Sequence, residues 1–235
     1  MQLPIFFEKV IPENDSLILS EESSRHISQV LRMKENELIQ LTNGVGSLIT
    51  AKISKPHKNH TEVIVVKRTE MRPLKREVII AISFIKNAGR FEWFLEKATE
   101  IGVTQIIPIL CKRTEKSHFR ADRMNTILIS AMLQSRQVWL PHLKPAIKFH
   151  ELIDSAAFAQ GYIAHCLETD KKDLSDFSSA SSDSSIILIG PEGDFTIEEI
   201  DYAISNKYTP VTLGETRLRT ETAGLVAAVL LTNMK

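Results

Sequence analysis

Hydrophobic and polar residues alternate over short segments in the first 70 positions of the chain. Alternation with a period of two is typical of strands with one buried face. We predict strands over 3–7, 16–20, 37–42, 47–54 and 61–67, and a helix over 21–33, where apolar residues have helical spacing. Asn43-Gly44-Val45-Gly46 indicates a hairpin between the third and fourth strands. This pattern predicts a small β-barrel with one helix.

The pattern changes after residue 76, where continuous apolar runs alternate with amphipathic segments. We predict strands over 78–85, 105–110, 161–167, 185–189 and 211–213, and helices over 90–101, 122–139, 196–206 and 222–232. Continuously apolar strands between helices are typical of a parallel α/β sheet that is covered on both faces. We therefore predict a small β domain over 1–72 and an α/β domain over 73–235, joined by a linker over 72–75.

Several residues mark where these elements end. Gly102 is a C-cap candidate, and Thr196 with Glu199 forms a capping-box pattern. Thr220 or Thr222 could cap the last helix. The Ser- and Asp-rich segment 175–185 predicts a flexible loop.

Composition excludes several classes of protein. The chain has 235 residues, 43% of them hydrophobic, which is enough apolar material for a core without a disulfide or metal staple. Its two cysteines, Cys111 and Cys166, exclude a disulfide scaffold and a Cys-rich zinc site, and they fit a reducing cytoplasm. No signal peptide, membrane span or metal motif is indicated.

Charge is distributed unevenly although the formal net charge is zero. Residues 76–150 carry 12 Lys and Arg against 6 Asp and Glu, whereas residues 151–235 carry 6 against 14. A basic middle beside an acidic tail suggests that one face meets a polyanion. Clustering of charge on a solvated surface is the alternative interpretation.

Two loops at predicted strand ends carry the candidate chemistry. Gly190-Pro191-Glu192-Gly193-Asp194-Phe195 follows one strand, and its glycines would let a ligand approach the backbone closely. A second segment, 213–223, follows another strand and places two arginines and a glutamate before a helix. Ligands bind at such strand ends in open α/β sheets. Tight turns with solvated charges are the structural alternative.

These loops closely resemble the signature of the SPOUT class of RNA methyltransferases. Within that class, the chain is similar to the RsmE family, the 16S ribosomal RNA (uracil-N3)-methyltransferases. The resemblance rests on 190–195, Leu213-Gly214 and Leu218-Arg219-Thr220-Glu221-Thr222-Ala223, and stretches near His26 and over 91–103 agree with it.

The resemblance implies a PUA-like RNA-binding barrel followed by an α/β domain whose end forms a deep trefoil knot. It also implies S-adenosylmethionine as methyl donor, a homodimer, and one uridine of 16S rRNA near the decoding centre as substrate, within an assembled small-subunit particle. No metal is implied.

Site residues follow from the resemblance together with the chemistry of uridine. N3 must lose a proton before it attacks, so we expect Arg219 to stabilise the negative charge on uracil and Glu192 or Glu221 to accept the proton. The cofactor candidates are Leu167, Gly190, Pro191, Gly193, Leu213, Gly214, Leu218 and Thr220.

Phosphate contacts require cations. The RNA-binding candidates are Arg25, Arg32, Lys86, Arg90, Lys97 and Arg136, and Glu100 is a possible partner of Lys97.

The sequence departs from the family pattern at three places. Arg136 is displaced by one position, Glu215-Thr216 replaces a common Pro-Arg or Asn-Arg, and Asp194 stands where the family has a glycine. Two other functions stay open: a knotted methyltransferase acting on a tRNA base or ribose, and a non-catalytic RNA-binding module.

Overall fold

The computed structural model describes residues 2–72, 76–115, 120–155, 158–177 and 184–234. It divides into two compact units, 1–73 with 132–140 and 74–131 with 141–235. The sequence pattern gave no sign that 132–140 returns to the first unit. The boundary at 72/73 stays a prediction. Residues 73–75 of the predicted linker and 178–183 of the predicted Ser-rich loop lie outside the described residues.

The first unit is built on one five-stranded sheet. Its elements are β1 (Ile5–Phe7), β2 (Ser16–Ile18), α1 (Glu21–Arg25), β3 (Leu38–Thr42), β4 (Ser47–Lys55) and β5 (Glu62–Glu70). The strand order is β1-β3-β4-β5-β2, and the predicted hairpin joins β3 to β4. Alternating residues of the strands fill the core, which includes Ile39, Leu41, Ile49, Ile53 and Val63.

The predicted helix 21–33 is only partly helical. α1 gives way at His26–Val30 to a π-helical turn, and Arg32 has a left-handed φ of 54°. A backbone in that region does not continue a right-handed helix.

The second unit is an eight-stranded sheet with helices. Its elements are β6 (Glu77–Ser83), α2 (Ala88–Ile101), β7 (Gln105–Leu110), α3 (Ala121–Gln134), β8 (His142–Leu143), β9 (Ile147–Lys148), α4 (Phe149–Ser155), β10 (Gln160–Ala164), β11 (Lys172–Asp173), β12 (Ser184–Ile189), α5 (Ile197–Ser205), β13 (Tyr208–Thr212) and α6 (Thr220–Asn233). The order is β11-β13-β10-β12-β6-β7-β8, with β9 also beside β7, and every pairing is parallel. The predicted parallel α/β sheet is confirmed, whereas the trefoil knot stays a prediction.

Buried strands form the centre of this sheet. β6, β10 and β12 are almost completely buried. α2 and α6 pack against each other, and α6 also packs on β6 and β12. Within the described ranges, no helix is long and apolar enough to cross a membrane.

Two predicted helix caps are confirmed. Gly102 ends α2 with a left-handed φ of 96°, and Thr196 caps α5 in a reciprocal capping box with Glu199. The predicted caps for α6 are wrong, because Thr220 and Thr222 both lie inside the helix and Arg219 occupies the N-cap position without a side-chain bond.

Several predicted boundaries also move, as three examples show. α3 stops at Gln134 rather than at 139, since Arg136 has a left-handed φ of 59°. β10 stops at Ala164 rather than at 167, which releases the next residues into a loop. β13 starts at Tyr208 rather than at 211. The prediction began the strand after Pro210, a residue type that is rare inside strands, but the strand continues through it. The short elements β8, β9, α4 and β11 were not predicted.

Candidate functional site

Parallel pairing brings three loops together at the C-terminal ends of neighbouring strands. β10 lies between β12 and β13, and Ala164 at its end pairs with Ile189 on one side and with Val211 on the other. Because parallel strands end at the same edge, the segments that follow begin side by side. We call 165–171 the β10 loop, 190–196 the β12 turn and 213–219 the β13 loop.

A cavity with two compartments lies between these segments. The first, of about 320 Å³, is lined by residues that include Gly190, Pro191, Glu192, Leu218, Arg219 and Thr220. The second, of about 450 Å³, is lined by residues that include Leu213, Gly214 and Leu218. Ala164, Cys166, Arg217 and Ala223 line both, so the compartments adjoin. Two of the predicted cofactor residues, Leu167 and Gly193, line neither compartment.

The β12 turn folds tightly over its first residue. Gly190 is buried, and a Cβ placed on it would lie 3.1 Å from the Phe195 ring and 3.2 Å from the Phe195 backbone nitrogen. Phe195 is itself buried, and its ring packs in a tilted arrangement against Phe149 with 5.4 Å between ring centroids. A residue without a side chain therefore lets the turn close.

Asp194 links this turn to the neighbouring loop. Its φ is 63°, and one carboxylate oxygen accepts the Cys166 backbone N–H at 2.8 Å while the other accepts the Phe195 N–H at 2.8 Å. Asp194 is one of the departures from the family pattern, and no role was predicted for it.

Arg113 holds the same turn from another side. It follows β7, and its Nη1 donates to the backbone oxygens of Gly193 at 2.6 Å and Phe195 at 3.3 Å. Nearby, Glu199 accepts the Lys112 backbone N–H at 2.8 Å. Sequence reasoning missed Arg113, because its contacts depend on how β7 lies in the sheet.

The proposed catalytic residues have different environments. Arg219 and Glu192 are exposed and line the first compartment, and neither side chain makes a hydrogen bond or an ion pair with the described residues. Arg219 thus does not brace the loops by pairing with Glu192 or Glu221. Its guanidinium and the Glu192 carboxylate both lie at the cavity and are available to a ligand.

Glu221 is buried at the start of α6. Its Oε1 lies 3.6 Å from Nε of Arg90, while its Oε2 is buried and accepts no hydrogen bond from the described residues. A carboxylate in this position is held by a cation and is inaccessible to a large substrate such as RNA.

A buried histidine lies beside the second compartment. Both ring nitrogens of His165 are buried without a hydrogen-bond partner among the described residues. Burial, followed by the nearby Lys171 ammonium, lowers the pKa of His165, and Asp194 partly opposes this effect. The neutral imidazole is therefore the main form at pH 7, and this burial was not predicted.

The six RNA-binding candidates separate by their partners. Arg25 and Arg32 are exposed and make no ion pair with any described residue. Lys86 pairs with Glu115 at 2.9 Å, although both side chains are exposed.

Two of the candidates each contact two protein groups. Lys97 contacts Glu96 at 2.7 Å and the expected Glu100 at 2.9 Å. Arg136 donates to the Leu3 carbonyl, and the suitably oriented Gln2 amide oxygen accepts from its Nε at 2.7 Å. These contacts favour a structural role for both cations.

Comparison with known proteins matches two family models to the chain. Residues 72–232 match the family model of an RNA methyltransferase domain, and residues 19–66 match that of an RNA methyltransferase PUA domain.

Among the described residues, no group of three or more His, Cys, Asp and Glu could hold a metal ion.

Three relatives illustrate the similarity. The crystal structure of a probable rRNA-methyltransferase from Porphyromonas gingivalis is 36% identical with a TM-score of 0.90, covering 97% of both chains. Ribosomal RNA small subunit methyltransferase E from Neisseria gonorrhoeae, solved bound to S-adenosyl methionine, is 30% identical with a TM-score of 0.84, covering 98% of this chain and 97% of that one. The Rickettsia conorii protein of the same name is 28% identical over 95% of this chain and 92% of its own.

The two glycines of the β12 turn should respond differently to substitution. Gly190→Ala should lower the free energy of unfolding by about 1–3 kcal/mol, because the new methyl group overpacks a site whose neighbours are buried. Gly193→Ala is the matched control. Its Cβ would meet only the Arg113 side chain, at 3.4 Å, so we expect a change within about 0.5 kcal/mol. Urea unfolding measures both, and equal effects would contradict this packing of the turn.

Proposed function

Since this chain belongs to the ribosomal RNA small subunit methyltransferase E family of RNA methyltransferases, which methylates small-subunit rRNA with S-adenosylmethionine, we propose that its target is N3 of one uridine in 16S rRNA. The observation that carries this proposal is the convergence of the β10 loop, the β12 turn and the β13 loop on one cavity. That cavity presents the Arg219 guanidinium and the Glu192 carboxylate, which form no hydrogen bond or ion pair with the described residues. We place the reaction in the cytoplasm on an assembled small-subunit particle.

The cavity has the chemistry to hold S-adenosylmethionine. Leu218 and Ala223 offer apolar contact, which suits an adenine ring. Gly214 has a φ of 121°, and nothing lies within 4 Å of the position that a Cβ would occupy, so a ligand can approach this backbone. The carboxylate of Glu192 suits a cationic sulfonium. We propose the predicted cofactor residues that line the cavity as the binding set, and we now rank Leu167 and Gly193 below them.

Methylation at N3 requires loss of the N3 proton. When bound, the cofactor supplies an electrophilic methyl group on a positively charged sulfur. The N3–H bond breaks, the N3–CH₃ bond forms, the S–CH₃ bond breaks, and the sulfur takes its electron pair and becomes neutral. We assign proton acceptance to Glu192 rather than to Glu221. Glu192 is exposed at the first compartment, whereas Glu221 is buried against Arg90.

Arg219 is placed to stabilise the uracil anion. Loss of the proton puts negative charge on the two carbonyl oxygens, and a guanidinium offers a planar pair of donors to such an oxygen. Its N–H groups are not engaged by any described residue. Because the guanidinium group is planar and rigid, lysine at this position would keep the positive charge but lose the pair of donors in one plane.

RNA binding is assigned first to Arg25 and Arg32, which form no ion pair with any described residue. Lys86 and Arg90 are assigned second, because Lys86 pairs with Glu115 and Arg90 with Glu221. N3 lies on the Watson–Crick edge, so the target uridine must be unpaired or flipped out before it reacts. Phosphate contacts from these residues would hold the strand while this occurs.

A homodimer through α6 is the proposed assembly. Gly224, Ala227, Ala228 and Leu231 of α6 are buried within the second unit. Leu225 and Val226 are half-buried, and Val229 is 41% exposed, so an apolar stripe stays on the surface of the helix. An apolar stripe of this kind suits an interface.

The proposed substrate predicts a specific chemical change in ribosomal RNA. In a deletion strain, mass spectrometry of 16S rRNA nucleosides should show the loss of 3-methyluridine, and a plasmid copy of the gene should restore it. Loss of a methylated tRNA nucleoside instead would favour a tRNA methyltransferase. An unchanged nucleoside profile would favour the non-catalytic RNA-binding module.

Arg219→Lys should reduce single-turnover methylation of small-subunit particles by about 10²–10³, the range for one lost oxyanion-type donor. Cofactor affinity and melting temperature should stay close to wild type, because Arg219 braces no described residue. Arg25→Ala is the control, and it should raise KM for the particles with kcat unchanged. Full turnover in Arg219→Lys would remove this residue from the mechanism.

The assembly has its own test. Sedimentation equilibrium at micromolar concentration should give about twice the 26.5 kDa chain mass. Val229→Lys should shift the protein towards monomer, because it places a charge in the apolar stripe. A monomeric wild-type protein at that concentration would refute the proposed dimer.

A further inference from the structure

Asp194 adopts a backbone conformation that an aspartate rarely takes. Its φ of 63° lies in the left-handed region, where glycine is the least strained residue. The Asp194 N–H donates to the Pro191 carbonyl at 2.9 Å, so this conformation closes the β12 turn. A glycine would satisfy the backbone equally well, which leaves the side chain as the feature that needs an explanation.

The Asp194 side chain bridges two of the three segments around the cavity. Oδ2 accepts the N–H of Cys166 in the β10 loop, and Oδ1 accepts the N–H of Phe195 in its own turn, both at 2.8 Å. Ionised acceptors make the stronger class of hydrogen bond. Cys166 and Asp194 both line the first compartment, so the bridge spans one wall of the cavity.

The β12 turn keeps other supports when this bridge is removed. Arg113 holds the carbonyls of Gly193 and Phe195, and the capping box of Thr196 and Glu199 fixes the start of α5. Near Cys166, the bonds of the β10 loop are mainly internal: Lys171 Nζ donates to the carbonyls of His165 and Leu167, both at 2.7 Å. Loss of the carboxylate should therefore release the β10 loop and leave the turn folded.

We propose that Asp194 is a positioning residue for cofactor binding: its carboxylate holds the β10 loop against the β12 turn and so sets the width of the first compartment. This inference rests on the proposed function, because it takes S-adenosylmethionine as the ligand of that compartment. Asp194 acts through Cys166 and is not assigned a chemical step.

Three substitutions separate the side chain from the backbone conformation. Asp194→Gly accepts the left-handed φ without strain but cannot bridge. Asp194→Asn tolerates that φ and keeps one acceptor oxygen for the Cys166 N–H, whereas its NH₂ group cannot accept the Phe195 N–H, so only the bond within the turn is lost. Asp194→Ala loses the bridge and also strains the backbone. Asp201→Asn, at an exposed position of α5, is the control for the loss of one negative charge.

Calorimetric titration of the full chain with S-adenosylmethionine is the main measurement. We expect Asp194→Gly and Asp194→Ala to bind at least about tenfold more weakly, the effect of one lost hydrogen bond to a charged group. Asp194→Asn should bind within about threefold of wild type, and Asp201→Asn should equal wild type. Hydrogen exchange at the Cys166 amide should accelerate in the glycine variant while that of α5 stays unchanged.

Wild-type affinity in Asp194→Gly would overturn the inference, since the backbone conformation alone would then suffice. Weak binding in Asp194→Asn equal to that of Asp194→Gly would also overturn it, because charge rather than bridging would be responsible. If Asp194→Ala does not fold, the glycine and asparagine variants still decide. Failure of the wild-type protein to bind S-adenosylmethionine would overturn the proposed function and this inference together.

Discussion

The site depends on the parallel register of three strands. β10 is hydrogen-bonded to β12 on one side and to β13 on the other, and Ala164 has partners in both. In a parallel sheet this register puts the start of each following loop at one edge. Segments that begin at 165, 190 and 213 thereby line the same cavity, which no local interaction could achieve.

Local interactions then determine the shape and the charge of the cavity at these strand ends. Gly190 and Phe195 close the β12 turn, Arg113 holds the carbonyls of that turn, and Asp194 ties it to the β10 loop. With these polar groups already engaged, Arg219 and Glu192 are left facing the cavity. The contrast is physical: side chains bound to protein groups position the site, whereas side chains without such partners can act on a ligand.

Much of the fold could be predicted because its signals are local. The apolar runs of β6, β7, β10 and β12 require burial on both faces, and Gly102 and Thr196 mark helix ends by their own conformational preferences. Elements whose formation depends on neighbours were missed, such as two-residue β8 and β9, which exist only as partners of β7. The end of α3 was misplaced because apolar periodicity carries no information on the left-handed Arg136.

The residues of the candidate site also divide into those with a local sequence signal and those whose role depends on distant neighbours. The two glycine-bearing loops were predicted from their own residues, and most of those residues line the cavity. Arg113 and His165 were missed, since one gains its role across the sheet and the other through burial. Arg136 and Lys97 were predicted to bind RNA because they are cations. The sequence does not show that Arg136 donates to a backbone carbonyl or that Lys97 pairs with a carboxylate.

Hydrogen–deuterium exchange with and without S-adenosylmethionine tests the central claim most directly, because it follows all three segments in one experiment. If the register of β10, β12 and β13 builds a single cofactor site, then added cofactor will slow exchange in the β10 loop, the β12 turn and the β13 loop together, with the same concentration dependence. The first unit will show little change. Protection of only one of the three segments, or protection confined to the first unit, would contradict the account.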